Sequence, residues 1–111
     1  MNKKRVHTPE GVRDVYGTEY GQRSKLKAKL NKVFASYGYE GIRTPGFEFF
    51  DVFNSEKGTV SAREMFKFFD REGNTLVLRP DVTPSIARCI AKYFNEENMG
   101  IRLSYAGNVF L

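Results

Sequence analysis

The sequence predicts an α+β fold, with helices packed on a mostly antiparallel sheet. Three observations carry that expectation. Residues 19–37 place Leu26, Leu30, Val33, Phe34 and Tyr37 on one helical stripe. The β-prone runs 65–69 and 75–79 flank Asp70-Arg71-Glu72-Gly73-Asn74, a hairpin pattern. Leu78-Arg79-Pro80-Asp81-Val82-Thr83-Pro84 then reads as a buried strand turning into a helix started by proline.

The elements follow in order. Residues 1–7 are polar and expected to fray, and Thr8 to Gly17, with one Pro and two Gly, reads as a structured loop. Lys25, Lys29 and Lys32 lie off the stripe of the first helix, and Gly38 suits its C-terminal cap because it accepts positive φ without penalty. Tyr39 to Thr44 is a short strand that Pro45-Gly46 interrupts. Phe47 to Phe53 is apolar and fits strand or helix; Asn54 to Ala62 is a polar loop. Thr83 is placed to cap a second helix from Pro84 to about Phe94. Ile86, Ile90, Tyr93 and Phe94 form its apolar stripe, while Ser85, Arg88 and Lys92 face away. After a turn over 95–100, Ile101 to Phe110 is the last strand. The apolar, uncapped run Val109-Phe110-Leu111 reads as the interior of a longer chain and leaves the origin of Leu111 open.

With 111 residues and 41% apolar side chains, the chain suffices for one small domain with a packed core. Ten Phe and six Tyr, without Trp, weight that core towards aromatic rings. Cys89 is the only cysteine and cannot form an internal disulfide, which fits a reducing cytoplasm. No apolar stretch approaches the length of a membrane span and no signal peptide is visible, so the expectation is a soluble cytoplasmic protein. The net charge of +5 is uneven: residues 1–32 hold nine Lys and Arg against Glu10, Asp14 and Glu19. Such a cluster could meet phosphates, or could be a solvated helix face.

Chemistry-bearing residues are few. One His and one Cys, far apart, match no metal spacing, so no metal site is expected. His7 sits in the basic tail, Cys89 reads as structural, and neither a phosphate loop nor a catalytic triad can be assembled. No cofactor and no catalytic residue is assigned. The junction at 78–84 is different. Asp81 offers a carboxylate able to hold an ammonium group, and Arg79 can pair with that carboxylate or reach an anion. A capped helix with an Asp–Arg pair would have the same sequence without any ligand. The second local motif runs from Gly38 to Glu48, read either as a helix-to-strand connection or as a strand available to another subunit.

Together these pieces resemble the histidyl-type class II aminoacyl-tRNA synthetase fold. Thr8 to Asp14 is similar to its opening Pro-x-Gly-x-x-Asp loop. Residues 38–50 resemble motif 1, the dimer-forming segment, and 78–84 resemble the loop that holds the amino group of histidine. Residues 101–110 resemble the first strand of motif 2. The resemblance implies that 1–111 is the N-terminal part of a partial class II synthetase-like catalytic domain. Synthetases of this type usually read Arg-Pro-Glu-Gly-Thr at the loop; this chain reads Arg-Pro-Asp-Val-Thr-Pro. That version resembles the paralogous regulatory subunit of ATP phosphoribosyltransferase, which supports the first step of histidine biosynthesis and its feedback control without aminoacylating tRNA.

The resemblance implies a short-form ATP phosphoribosyltransferase catalytic subunit as partner and a homodimer through motif 1, with Tyr39, Ile42, Pro45 and Phe47 at the interface. It implies histidine as ligand, with Asp81 and Thr83 contacting the ammonium and Arg79 orienting the loop. Asp is one methylene shorter than Glu, and Val adds a branched side chain where Gly leaves room; both changes favour sensing over adenylate chemistry. The alternative is an N-terminal piece of a histidyl-tRNA synthetase, with tRNA as its partner. Leu111 stands near where the synthetase motif 2 carries its ATP-gripping Arg, so these residues alone are not expected to assemble an adenylation site.

Overall fold

The computed structural model describes residues 5–54, 61–94 and 100–111. The expected fraying of the first residues, the loop over 54–62 and the turn over 95–100 fall largely outside them.

The first helix, α1, runs Gly17–Ser36. No side chain caps its start; instead Glu19 in the first turn receives two 2.7 Å hydrogen bonds from the Arg13 guanidinium in the preceding loop. That loop is tied internally by Thr8 Oγ1 donating to the Val12 carbonyl at 2.7 Å. The C-terminus is a Schellman cap. Gly38 adopts φ +83°, its N–H donates to Ala35 O and the Tyr39 N–H reaches Phe34 O, both at 3.0 Å. The accompanying apolar contact is the edge-on packing of Tyr39 on Phe34, ring centroids 5.9 Å apart. Arg102 Nη1 satisfies a further end carbonyl, that of Tyr37, at 3.1 Å.

The periodicity of α1 is as expected, but its burial is not. Leu26, Leu30, Val33, Phe34 and Tyr37 are all exposed, and no residue of the helix is buried. The stripe is real, and nothing among the described residues covers it.

The strand expected over 39–44 shortens to β1, Glu40–Gly41, which pairs in parallel with β5, Leu103–Ser104. The long final strand expected over 101–110 likewise reduces to β5. The ambiguous run 47–53 is both things in turn: β2 is Phe47–Phe49 and α2 is the single helical turn Phe50–Phe53. The hairpin forms as predicted, with β3 at Lys67–Phe69 and β4 at Thr75–Leu78, after a 3-10 turn at Ala62–Glu64. Asp70 organises the connection by accepting from the backbone N–H of Glu72 (3.0 Å) and Asn74 (2.8 Å), and from Asn74 Nδ2 (2.9 Å). Gly73 takes the positive φ of +84° that the turn needs.

β2, β4 and β3 form an antiparallel sheet in that order, with Glu48, Val77 and Lys67 in register across it. Phe53, Met65 and Val77 make the apolar core, with Phe50 and Val52 packed against it. The helix α3, Thr83–Tyr93, packs beside α2. The face expected on α3 is rotated. Ser85, expected outside, is fully buried at 0% exposure, while Tyr93, expected on the apolar stripe, is exposed. Arg88, also expected to point away, lies 2.8 Å from the buried carboxylate of Glu48. The reason is visible in the sheet: β2 turns an acid inwards, and the matching cation comes from α3. The radius of gyration is 17.3 Å, above the roughly 13 Å of a compact domain of about this size. This agrees with a helix whose apolar stripe is uncovered.

Candidate functional site

The segment 78–84 is the corner where β4 ends and α3 begins. Leu78 N–H bonds Phe66 O on one side, and Arg79 N–H bonds Gly46 O on the other, both at 2.9 Å. The strand is thus held up to Arg79, and Pro80, without an N–H, ends the ladder.

The expected cap is replaced. Val82, not Thr83, precedes the helix, in helical conformation (φ −87°, ψ −30°), and its carbonyl already accepts from Ile86 N–H at 3.2 Å. Thr83 is the first helical residue. Its N–H is satisfied by Asp81 Oδ1 at 3.2 Å, a local side-chain turn of the kind Asp favours. This frees the Thr83 hydroxyl, which lies 3.1 Å from the Tyr105 hydroxyl. Val82 buries its side chain, so the residue that replaces a glycine of the resembling loop is a packing anchor.

Asp81 is half-buried and Thr83 exposed, so both are reachable from solvent. The corner therefore presents one carboxylate and two hydroxyls. A carboxylate has about four acceptor directions, and only one is used by the Thr83 amide. Such a set can hold an ammonium group by a charge-assisted hydrogen bond.

Arg79 is not part of that set and does not pair with Asp81. Its side chain is turned inwards, with Nη1 donating to Thr44 O at 3.1 Å and to Pro45 O at 3.5 Å, and Nε to Asn108 O at 2.5 Å. Among the described residues no carboxylate makes an ion pair with it.

Of the residues assigned to an interface, Pro45 also accepts from Arg79 through its carbonyl. Tyr39 caps α1, Ile42 is half-buried with its N–H on Ser104 O at 2.9 Å, Pro45 is exposed, and Phe47 is exposed with its ring 5.4 Å from that of Phe68. Tyr39 and Ile42 share an open groove of about 460 Å³ with Lys27, Asn31, Arg43 and Tyr105.

Sequence reasoning missed Tyr105, which lies 22 residues beyond Thr83 in an apolar run with nothing to set it apart. It also passed over the inward Glu48. Glu48 Oε2 and the hydroxyls of Thr44 and Ser85 are buried without a hydrogen-bond partner among the described residues. The Arg88–Glu48 contact is short, yet the Nε–H is not aimed at the oxygen, so it acts as a charge contact rather than a directed hydrogen bond. Among the described residues no group of three or more His, Cys, Asp or Glu gathers to hold a metal ion, and no helix is long and apolar enough to cross a membrane.

The fold that carries this corner is shared with known proteins. The family profile described as Histidyl-tRNA synthetase matches residues 11–111. ATP phosphoribosyltransferase regulatory subunits of Acetivibrio thermocellus and Ruminiclostridium cellulolyticum are each 42% identical to this chain over 110 residues, 99% of the chain and 26% of each relative. The chain thus spans about a quarter of the length of those curated relatives. Among solved structures, a Bacillus halodurans protein described as an ATP phosphoribosyltransferase regulatory subunit/histidyl-tRNA synthetase superposes with TM-score 0.83 at 32% identity. That match covers 94% of this chain and 27% of the other. The apo histidyl-tRNA synthetase of S. aureus gives TM-score 0.80 at 30% identity, covering 96% of this chain and 26% of that one. The chain belongs to the histidyl-tRNA synthetase family, and within it is similar to ATP phosphoribosyltransferase regulatory subunits.

Proposed function

We propose that these residues are the N-terminal part of a cytoplasmic regulatory subunit of ATP phosphoribosyltransferase, without catalytic activity of its own. In this reading it joins a short-form catalytic subunit and supports the first step of histidine biosynthesis and its feedback control. The 42% identity to proteins of that name over nearly the whole chain carries the reading. The corner agrees with it. Buried Val82 and the turn closed by Asp81 hold the loop in one shape, and Asp81, Thr83 and Tyr105 suit the ammonium and polar atoms of free histidine.

Self-association through residues 38–50 belongs to the same proposal. Phe47 and Phe49 point to one face of the sheet, exposed at 51% and 56%, and Tyr39 and Pro45 of the same segment are also exposed. An aromatic sheet face of this kind favours a protein partner.

The test is to purify the full-length protein with a short-form ATP phosphoribosyltransferase. A stable complex with faster phosphoribosyl transfer is expected, together with no histidine-dependent ATP–pyrophosphate exchange by the full-length protein alone. Exchange activity, or failure to bind and stimulate the catalytic subunit, overturns the proposal.

A further inference from the structure

Arg79 is only 9% exposed, and none of the described carboxylates neutralises it. A buried cation without a counter-ion is costly unless its donors are well satisfied. Here backbone carbonyls satisfy them, and those carbonyls come from two segments far apart in sequence. Nη1 holds Thr44 and Pro45; Nε holds Asn108. The main chain of the same residue repeats the pattern: its N–H donates to Gly46 O, and its carbonyl accepts from Phe110 N–H, both at 2.9 Å. Residue 79 is therefore bonded, by backbone and by side chain, to the turn at 44–46 and to the segment 108–110 at once.

Gly107 makes room for this. A Cβ there would stand 2.8 Å from Arg79 Nη2 and 3.4 Å from Cζ, so any larger residue would push the guanidinium aside.

Arg79 itself and the chain just before 108–110 border the ligand corner. Asp81 lies two residues beyond Arg79, and Tyr105, whose hydroxyl meets Thr83, lies two residues before Gly107. A molecule held between Asp81 and Tyr105 must act on the separation of loop 79–83 from the segment 105–108, which is the separation Arg79 spans. The other arm of Arg79 grips Thr44 and Pro45, and these lead directly into Phe47 and β2.

We propose that Arg79 is a positioning residue that couples occupancy of the Asp81–Thr83–Tyr105 corner to the conformation of residues 44–49. This rests on the reading of that corner as a site for the ammonium group of an amino acid. Coupling of this kind is reciprocal: whatever orders 44–49, including a second subunit, raises affinity at the corner by the same factor.

The experiment uses full-length protein with free histidine as probe, and combines calorimetry with amide hydrogen exchange. In the wild type, saturating histidine is expected to slow exchange in 44–49 as well as in 79–83. Lys at position 79 keeps the charge but offers one compact donor group in place of the planar fork. Arg79→Lys is therefore expected to bind histidine about 10-fold more weakly, as befits the loss of one hydrogen bond from a charged donor. At saturating histidine it should still protect 79–83 while losing the histidine-dependent protection of 44–49. A merely structural role would lower protection of 44–49 equally with and without histidine, and that result overturns the proposal. Should Arg79→Lys not fold, Gly107→Ala displaces the guanidinium and is expected to give the same loss of coupling. Absence of histidine binding in the wild type overturns the ligand reading and the coupling with it. Binding without protection of 44–49 overturns the coupling alone.

Discussion

Two regions of the molecule are built on opposite principles. In the sheet region, β2, β4 and β3 with α2 and α3 enclose Phe53, Met65 and Val77, and even polar side chains such as Ser85, Glu48 and Arg79 are buried. In the α1 region, a 20-residue helix with an apolar stripe along its second half buries none of its residues, and the two-residue strand β1 beside it is exposed throughout. Hydrophobic burial is the main favourable term in folding and in most association. Within the described residues, the first region has one packed face and leaves Phe47, Phe49 and Phe69 open on its surface, whereas α1 has no packed face at all. The sheet region should therefore govern unfolding, and α1 should respond to what binds it.

The largest expected effect tests this division directly. Phe53→Ala removes an aromatic side chain from the core and should lower the stability of the full-length protein by about 3–5 kcal/mol in urea unfolding. Leu30→Ala removes a side chain of 49% exposure and, under dilution, should change stability by less than about 0.5 kcal/mol. A Leu30→Ala penalty equal to that of Phe53→Ala breaks the comparison, because it would mean that α1 is packed within its own chain.

A smaller effect concerns how the sheet region is closed. The Glu48–Arg88 contact joins β2 to α3 at 2.8 Å, with the acid buried and the cation 31% exposed. Because water still reaches Arg88, Glu48→Gln should cost about 1–2 kcal/mol, less than the loss of a partner from a fully buried pair. A double-mutant cycle with Arg88→Met should return a coupling of about 1 kcal/mol. Zero coupling would mean that α3 is held by its apolar residues alone.

The same two regions differ in how far sequence revealed them. The hairpin was legible because Asp70, Gly73 and Asn74 carry local turn chemistry, and the end of α1 because Gly38 can take positive φ. Both are decided within a few residues of chain. The rotation of α3 was not legible, since it depends on Glu48, 40 residues before Arg88, turning inwards from a strand. For the same reason the three carbonyl contacts of Arg79 and the Thr83–Tyr105 contact could not be foreseen: their partners lie 22 to 35 residues away. The candidate corner was found because Asp81 and Thr83 sit at a strand-to-helix junction. Arg79 was expected to orient the loop, but its partners were hidden because a cation satisfied by backbone carbonyls leaves no charged partner in the sequence. The exposed stripe of α1 marks the opposite limit, where periodicity predicted the helix but could not say that none of the described residues buries it.

The smallest expected effect separates the regions by the origin of their electrostatics. In the α1 region, the hydrogen bond from Arg13 holds the Glu19 carboxyl down at about 2. In the sheet region, the Asn74 side chain, with backbone amides, lowers the Asp70 carboxyl below its ordinary value. Both groups are ionised more readily in the folded protein than in the unfolded chain. Each therefore contributes stability that is present above the ordinary carboxylate range and is lost as pH falls through its folded value. Both are surface groups, so the contributions are small, but their salt responses should differ. The Glu19 shift comes from a neighbouring charge, and about 0.5 M salt should move its midpoint upward as mobile ions screen the pair. The Asp70 shift comes from neutral donors fixed in a five-residue turn and should stay where it is. Carboxyl titrations by NMR at low and high salt would show this, and an Asp70 midpoint that rises with salt as much as that of Glu19 would mean that charge, rather than turn geometry, sets the hairpin's acid.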